Sequence, residues 1–265
     1  MLKGLRRKSK VEPASGDAAV PAGQRVYAIG DIHGQGDLFA ALAVAIDADD
    51  VQRAPCDSTV ILLGDLVDRG PDSAGVIDRA MRWGLTRRLR LIAGNHEEMF
   101  LEALRDTAML RHFIRIGGRE TILSYGLDAE EFECATIDEL QRLAVARVPA
   151  AHRDYLAAGE DRILIGDYLF VHAGILPGIA AEAQHQHDLR WIREPFLSSQ
   201  HDHGCVVVHG HTVTGDVQFL PNRIGIDTGA FLSGRLTALG LEGTQRWLIE
   251  ACRDDDGITT AVSPA

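Results

Sequence analysis

The chain has 265 residues, 46% hydrophobic, 25% charged and 6% aromatic, with a formal net charge of −11. That length and balance fit one large α/β domain better than two. The acid excess argues against a nucleic-acid polymer as partner, although bound cations and a few arginines can still make a local phosphate site. No apolar run reaches membrane-spanning length, so no membrane partner is expected. Cys56, Cys134, Cys205 and Cys252 form no C-x-x-C pair, and their scatter predicts reduced thiols in a cytoplasmic chain. Nothing in the composition indicates an oligomeric state.

The first ten residues are basic and lead into no apolar stretch of the kind a secretory signal needs. An Ala-, Pro- and Gly-rich run follows, so residues 1–24 are expected to be a disordered tail and 25–253 the folded domain. Residues 26–29 are apolar and close on Gly30, as a buried strand does. A helix is predicted from about Asp37, with Leu38, Ala41, Leu42, Ala45 and Ile46 on one face. The pattern repeats with a strand at 60–63 before Gly64, a helix at 73–83, a strand at 89–93 before Gly94 and a helix from Glu97. Such alternation predicts βαβ units and a largely parallel sheet.

From about 101 to 159 the pattern is helical, broken at Gly117, Gly118, Gly126 and Pro149, and reads as an insert beside the functional face. The second half turns to strands. Residues 163–165 and 168–171 form a predicted hairpin around Gly166-Asp167, and 205–208, 224–226, 236–241 and 246–250 follow. Residues 254–265 read as a frayed tail. Two sheets packed face to face, with helices outside, accommodate both halves.

Three predicted strands end in polar clusters of one kind. They are Gly30-Asp31-Ile32-His33-Gly34, Gly64-Asp65-Leu66-Val67-Asp68-Arg69-Gly70 and Gly94-Asn95-His96-Glu97. Ligands bind at the carboxyl ends of strands in open α/β sheets, so these ends converge on one crevice. Two more clusters follow later strands, Phe170-Val171-His172-Ala173-Gly174 and Val208-His209-Gly210-His211-Thr212. Imidazole, carboxylate and amide oxygen make a mixed donor set that suits Mn²⁺, Fe or Zn²⁺ better than Ca²⁺. Any one cluster alone is an ordinary turn or helix cap. Five in succession, each directly after an apolar run, point to a metal site.

In this order the clusters resemble the PPP-family metallophosphoesterases of the calcineurin-like superfamily, the bacterial and phage serine/threonine protein phosphatase type. Gly117-Gly118-Arg119-Glu120-Thr121 with Tyr125-Gly126, residues 191–195 and Asp227-Thr228-Gly229-Ala230 also look like bacterial members. The resemblance implies a four-layer α/β/β/α sandwich carrying the helical insert. It implies two divalent ions, Mn²⁺ foremost, with Asp31, His33 and Asp65 on one and Asn95, His172 and His211 on the other. Asp65 would bridge them, and a hydroxide activated between them would attack phosphorus in line. His96 would be the general acid, oriented and kept protonated by Asp68. Arg69 and Asn95, with Arg193 as a second clamp, would hold substrate phosphate.

The pattern also selects among relatives. Where broader phosphodiesterases carry a second histidine two positions after the last ligand, this chain has Val213. Dinucleoside tetraphosphate hydrolases of the family typically replace the aspartate of V-D-R-G, and here Asp68 is present. The expected function is therefore hydrolysis of phosphomonoesters on serine/threonine phosphoproteins. Hydrolysis of nucleotides or dinucleoside polyphosphates is the alternative.

Overall fold

The computed structural model describes residues 18–265. The proposed tail therefore lies outside the described residues only as far as residue 17. The rest of it is corrected: Val20 is buried, its N–H donates to Gly243 O, and Tyr168 donates to Ala18 O at 3.0 Å.

Alternation in the first strand decides which way the molecule faces. Along β1 (Gln24–Ile29), Val26 and Ala28 point to one side and Tyr27 and Ile29 to the other, and all four are buried. A strand buried on both faces needs a layer on each side. Beside it runs β2 (Asp57–Leu62) and then β3 (Arg88–Leu91), both parallel, as the βαβ spacing predicts. Their crossover helices are α1 (Gly36–Gln52) and α2 (Ser73–Trp83). α3 (Asn95–Ala103) follows β3.

The insert comprises α4 (Thr107–Phe113), α5 (Arg119–Ser124), α6 (Ala129–Cys134), α7 (Ile137–Arg147) and α8 (Ala150–Ala157). Leu110, Phe113, Ile122, Leu140 and Leu156 tie it into the core under the outer face of the first sheet. It is thus part of one core and not a separate unit.

The second sheet begins with the expected hairpin, β4 (Arg162–Ile165) and β5 (Tyr168–Val171). After α9 (Gln186–Trp191) come β6 (Val206–His209), β7 (Gln218–Phe219) and β8 (Arg223–Gly225), giving the order β4-β5-β6-β8-β7. The two-residue β7 left no apolar pattern to read. α10 (Ala230–Ser233) then leads the chain back to the first sheet through β9 (Arg235–Glu242), antiparallel to β1, and β10 (Gln245–Asp254).

The expected C-terminal tail is corrected as well. Residues Gly257–Pro264 form β11, an edge strand paired with β10. Its side chains are mostly exposed, so the sequence offered no buried face; the backbone ladder and the half-buried Ile258, packed against the core, hold it. The first sheet therefore runs β11-β10-β9-β1-β2-β3.

Val26, Ala28, Ile61, Phe170, Val208 and Leu239 fill the space between the two sheets. Ile175, Leu189, Ile192 and Phe196 cover the outer face of the second. This is the predicted four-layer sandwich. Among the described residues no helix is long and apolar enough to cross a membrane.

Candidate active site

β1, β2, β3, β5, β6 and β8 all end on the same side, so each delivers the residues that follow it to one crevice. Gly64 lets the β2 end come this close. Its φ is +96°, and a Cβ there would stand 2.6 Å from Gly94 N. Five non-glycine residues adopt left-handed φ among the described residues: His33, Asp65, Asp68, Arg69 and His211. All five are predicted site residues. Strain gathered in one crevice is the signature of side chains aimed by the fold rather than by local preference.

Asp65 sits at the centre. Its Oδ2 lies 3.6 Å from His33 Nε2 and its Oδ1 3.5 Å from His172 Nε2. Ligand atoms of His33, Asp65 and His96 lie within 4.8 Å of one another, and so do those of Asp65, His172 and His211. Asn95 joins the second group, its Oδ1 being 2.9 Å from both His172 Nε2 and His211 Nδ1. One carboxylate thus faces two clusters, as a bridging ligand must.

The fold prepares the imidazoles as ligands. His33 Nδ1 donates to Val67 O at 2.8 Å and His172 Nδ1 to Leu63 O at 2.7 Å, which leaves each Nε2 lone pair turned inward. Burial pushes His33 and His211 down to about 3 and lowers His172, so these rings stay neutral. Asp65 stays an anion despite its full burial, which would otherwise raise it.

Two observations show that a cation fits here. His211 Nε2 is buried without a partner. The His172 Nε2 lone pair also faces Asn95 Oδ1, acceptor against acceptor, a contact that a shared cation relieves.

Not every predicted residue stands where the sequence placed it. Asp31 is buried, but both its oxygens accept from the His211 backbone N–H, at 3.1 and 3.0 Å, and it lies outside the two clusters. Burial and the neighbouring Asp227 push it up, and burial takes Asp227 to about 6. His96, expected only as an acid, also stands within reach of the first cluster, its Nε2 3.9 Å from Asp65 Oδ2.

His96, Asp68 and Arg69 stand together beside Asp65. His96 Nδ1 donates to Asp68 Oδ2 at 2.5 Å. Burial works against a charged His96, but Asp65 and the Asp68 hydrogen bond raise it. Arg69 reaches His33 Nε2 at 2.8 Å and His96 Nε2 at 3.1 Å, with its guanidinium 4.4 Å over the Phe231 ring. Arg193 is exposed at the rim, where its charge contributes to the lowering of His211.

Sequence reasoning left four residues here without a role. Glu97 is fully buried and accepts from the N–H groups of Asp65, Leu66 and Gly94, at 2.7, 2.7 and 2.9 Å. Its spacing three after Gly94 was a legible capping signal. Thr121 and Asp227 lie in the stretches 117–121 and 227–230 that resemble bacterial members but were given no role, and Phe231 lies just beyond the second, marked by no pattern.

A profile of the family described as calcineurin-like phosphoesterase matches residues 24–232. The symmetrical bis(5'-nucleosyl)-tetraphosphatase of Paracidovorax citrulli is 38% identical over 162 residues, which cover 61% of this chain and 48% of that protein. The match thus spans about half the relative's length. The asymmetrical bis(5'-nucleosyl)-tetraphosphatase PrpE of Anoxybacillus flavithermus is 26% identical over 80% of this chain and 88% of its own. Among solved structures, a candidate diadenosine tetraphosphatase superposes with a TM-score of 0.61 at 21% identity, covering 94% of this chain and 99% of its own. A cold-active protein tyrosine phosphatase superposes with 0.57 at 18% identity, covering 93% and 80%. The curated relatives carry the names of the alternative substrate class above, not of the protein phosphatases expected first.

Proposed function

The chain belongs to the calcineurin-like phosphoesterases, and we propose that it hydrolyses dinucleoside polyphosphates with the help of two divalent cations, Mn²⁺ foremost. The observation that carries this chemistry is the single Asp65 carboxylate facing two clusters of imidazoles. Asp31 would release the His211 N–H to join His33 and Asp65 on one cation, and Asp65, Asn95, His172 and His211 would hold the other. Bound there, the pair supplies a water of lowered pKa and positive charge opposite the phosphate oxygens.

The chain's own groups do the rest. Arg69 presents a planar fork at the mouth of the site and binds phosphate oxygens two at a time. It must give up His33 Nε2 when that lone pair is used by a cation, which frees its N–H groups for substrate. His96 holds a proton on Nδ1 against Asp68, so its Nε2 is the atom that faces the leaving oxygen. Arg193 offers a further charge at the rim. The relatives' names support the substrate class. Four unpaired cysteines support a reducing compartment, the cytoplasm.

A second reading, a serine/threonine protein phosphatase, is favoured by the His96–Asp68 bond. An alkoxide leaves poorly and needs a proton, whereas a nucleotide leaves more readily as its phosphate anion. A panel of diadenosine tetraphosphate, a phosphoserine peptide and p-nitrophenyl phosphate, with Mn²⁺-loaded protein, separates the two. The first reading expects the highest kcat/KM on diadenosine tetraphosphate. A higher value on the phosphopeptide overturns it in favour of the second. The products distinguish symmetrical cleavage, two ADP, from asymmetrical cleavage, ATP and AMP.

A further inference from the structure

The helical insert reaches the site through a buried hydroxyl. Thr121, in α5, is fully buried and lies 53 positions beyond Asp68 in sequence. Its Oγ1 accepts the Asp68 backbone N–H at 2.8 Å and donates to Asp68 Oδ1 at 2.6 Å. Ser73 Oγ lies 2.9 Å from the same Oγ1 and 3.1 Å from the Asp68 N–H. The proton count fixes every direction in this group. An ionised carboxylate only accepts, so the single Thr121 hydroxyl proton goes to Oδ1. The Ser73 proton must then go to Thr121 Oγ1. The other carboxylate oxygen, Oδ2, is left for the Nδ1–H of His96.

We propose that Thr121 is a positioning residue for this enzyme, acting through Asp68 on His96. Its hydroxyl pins one carboxylate oxygen, so the other stays on Nδ1 and Nε2 stays turned to the reacting group. The same hydroxyl helps hold Asp68 at φ 74°, a left-handed conformation that an aspartate adopts only at a cost. The insert grips the adjoining residue too. Arg69 N–H donates to Gly117 O at 2.9 Å, and Gly117, at φ +117°, allows that approach because a Cβ there would stand 2.7 Å from Arg69 Cγ. One segment therefore sets both the phosphate clamp and the proton-bearing ring.

The inference rests on the phosphohydrolase reading, and its test separates the two. Thr121→Val keeps the shape and removes the hydroxyl, while Thr121→Ser keeps the hydroxyl. Kinetics compare p-nitrophenyl phosphate with phenyl phosphate, which differ only in how readily the leaving group departs. The Val variant should lose about tenfold more kcat on phenyl phosphate than on p-nitrophenyl phosphate, and the Ser variant should stay within about twofold of wild type on both. Equal losses on the two esters, or a Ser variant as impaired as Val, overturn the positioning role.

A proton NMR measurement needs no turnover. The short bond to Asp68 gives the His96 Nδ1–H a downfield resonance, expected to persist in Ser and to move in Val. An unmoved resonance in Val overturns the proposal even if neither ester is a substrate. Should Val fail to fold, Ser73→Ala strips Thr121 of its donor, and the same readings apply in the same direction. A wild-type enzyme inert toward both esters and diadenosine tetraphosphate contradicts the phosphohydrolase reading instead.

Discussion

Glu97→Gln should weaken the protein and its metal site together. The Glu97 carboxylate gathers three buried backbone N–H groups, with Oε2 taking Asp65 and Gly94 and Oε1 taking Leu66. Burial and the Asp65 charge push Glu97 up to about 7, while its three donors favour the anion. A protonated or amidated side chain cannot serve all three, so the carboxylate is the form this geometry requires. In the Gln variant the carbonyl can keep Asp65 and Gly94, but the amide NH₂ then faces the Leu66 N–H, donor against donor. An unmet buried donor costs about 1–3 kcal/mol, which lowers Tm by roughly 2–12 °C in a chain of this size. Glu97→Ala orphans all three donors, at a summed cost of about 3–9 kcal/mol, comparable with the whole stability of a typical domain. That variant is expected to be insoluble. Asp65 is held at φ 49° by this anchor, so in Glu97→Gln it should relax and bind Mn²⁺ more weakly. Thermal unfolding and calorimetric Mn²⁺ titration read the two effects. A Gln variant that melts within about 1 °C of wild type and binds Mn²⁺ equally well would refute the anchoring role.

Arg69→Lys should raise KM and lower kcat on phosphate substrates by about 10- to 100-fold in kcat/KM, because an ammonium cannot span the positions its fork reaches; wild-type kinetics in that variant would discard bidentate recognition. His96→Asn should keep both metals yet lose about 10²–10⁴-fold on a phosphoserine peptide and far less on p-nitrophenyl phosphate, and equal losses would mark His96 as a ligand or positioning group instead. Asp50 supplies an acid-sensitive brace. Burial alone would raise its pKa, but hydrogen bonds from Ser58, Arg87 and Arg25 outweigh that and lower it. A depressed carboxylate adds stability above its unfolded pKa of about 3.9 and loses it as pH falls through the folded value. The gap in urea stability between wild type and Asp50→Asn should therefore be full at neutral pH and shrink in acid below about pH 4; a gap independent of pH would assign the cost to shape alone.

The crevice was legible because its chemistry is local. Asp31, His33, Asp65, Asn95, His172 and His211 each stand directly after an apolar strand, and a strand end fixes where the next residue goes. Strands buried on both faces, such as Val26 to Ile29, announced themselves by composition. β11 did not, because nearly all its side chains face solvent, with only Ile258 reaching the core beside the backbone pairing. Residues 18–23 were missed for a related reason: Ala18, Ala19 and Val20 are too few and too small to form a period, and the β4–β5 turn they pack against is far away in sequence. Glu97, Asp227, Phe231 and Thr121 act across the fold. Only the three-dimensional arrangement could show that a threonine from the insert completes a network begun at Asp68.

Divalent cations held at Asp65 should drive the hydrolysis, and one preparation tests this. Wild type and Asp65→Asn are stripped with chelator and retitrated with Mn²⁺, with bound metal and turnover of diadenosine tetraphosphate measured on the same samples. Wild type should bind two ions per chain, lose turnover on stripping and recover it in proportion to the metal restored, and Asp65→Asn should lose both sites, since one carboxylate serves both clusters. Full turnover in the metal-free protein, or two ions bound undiminished without Asp65, would contradict it.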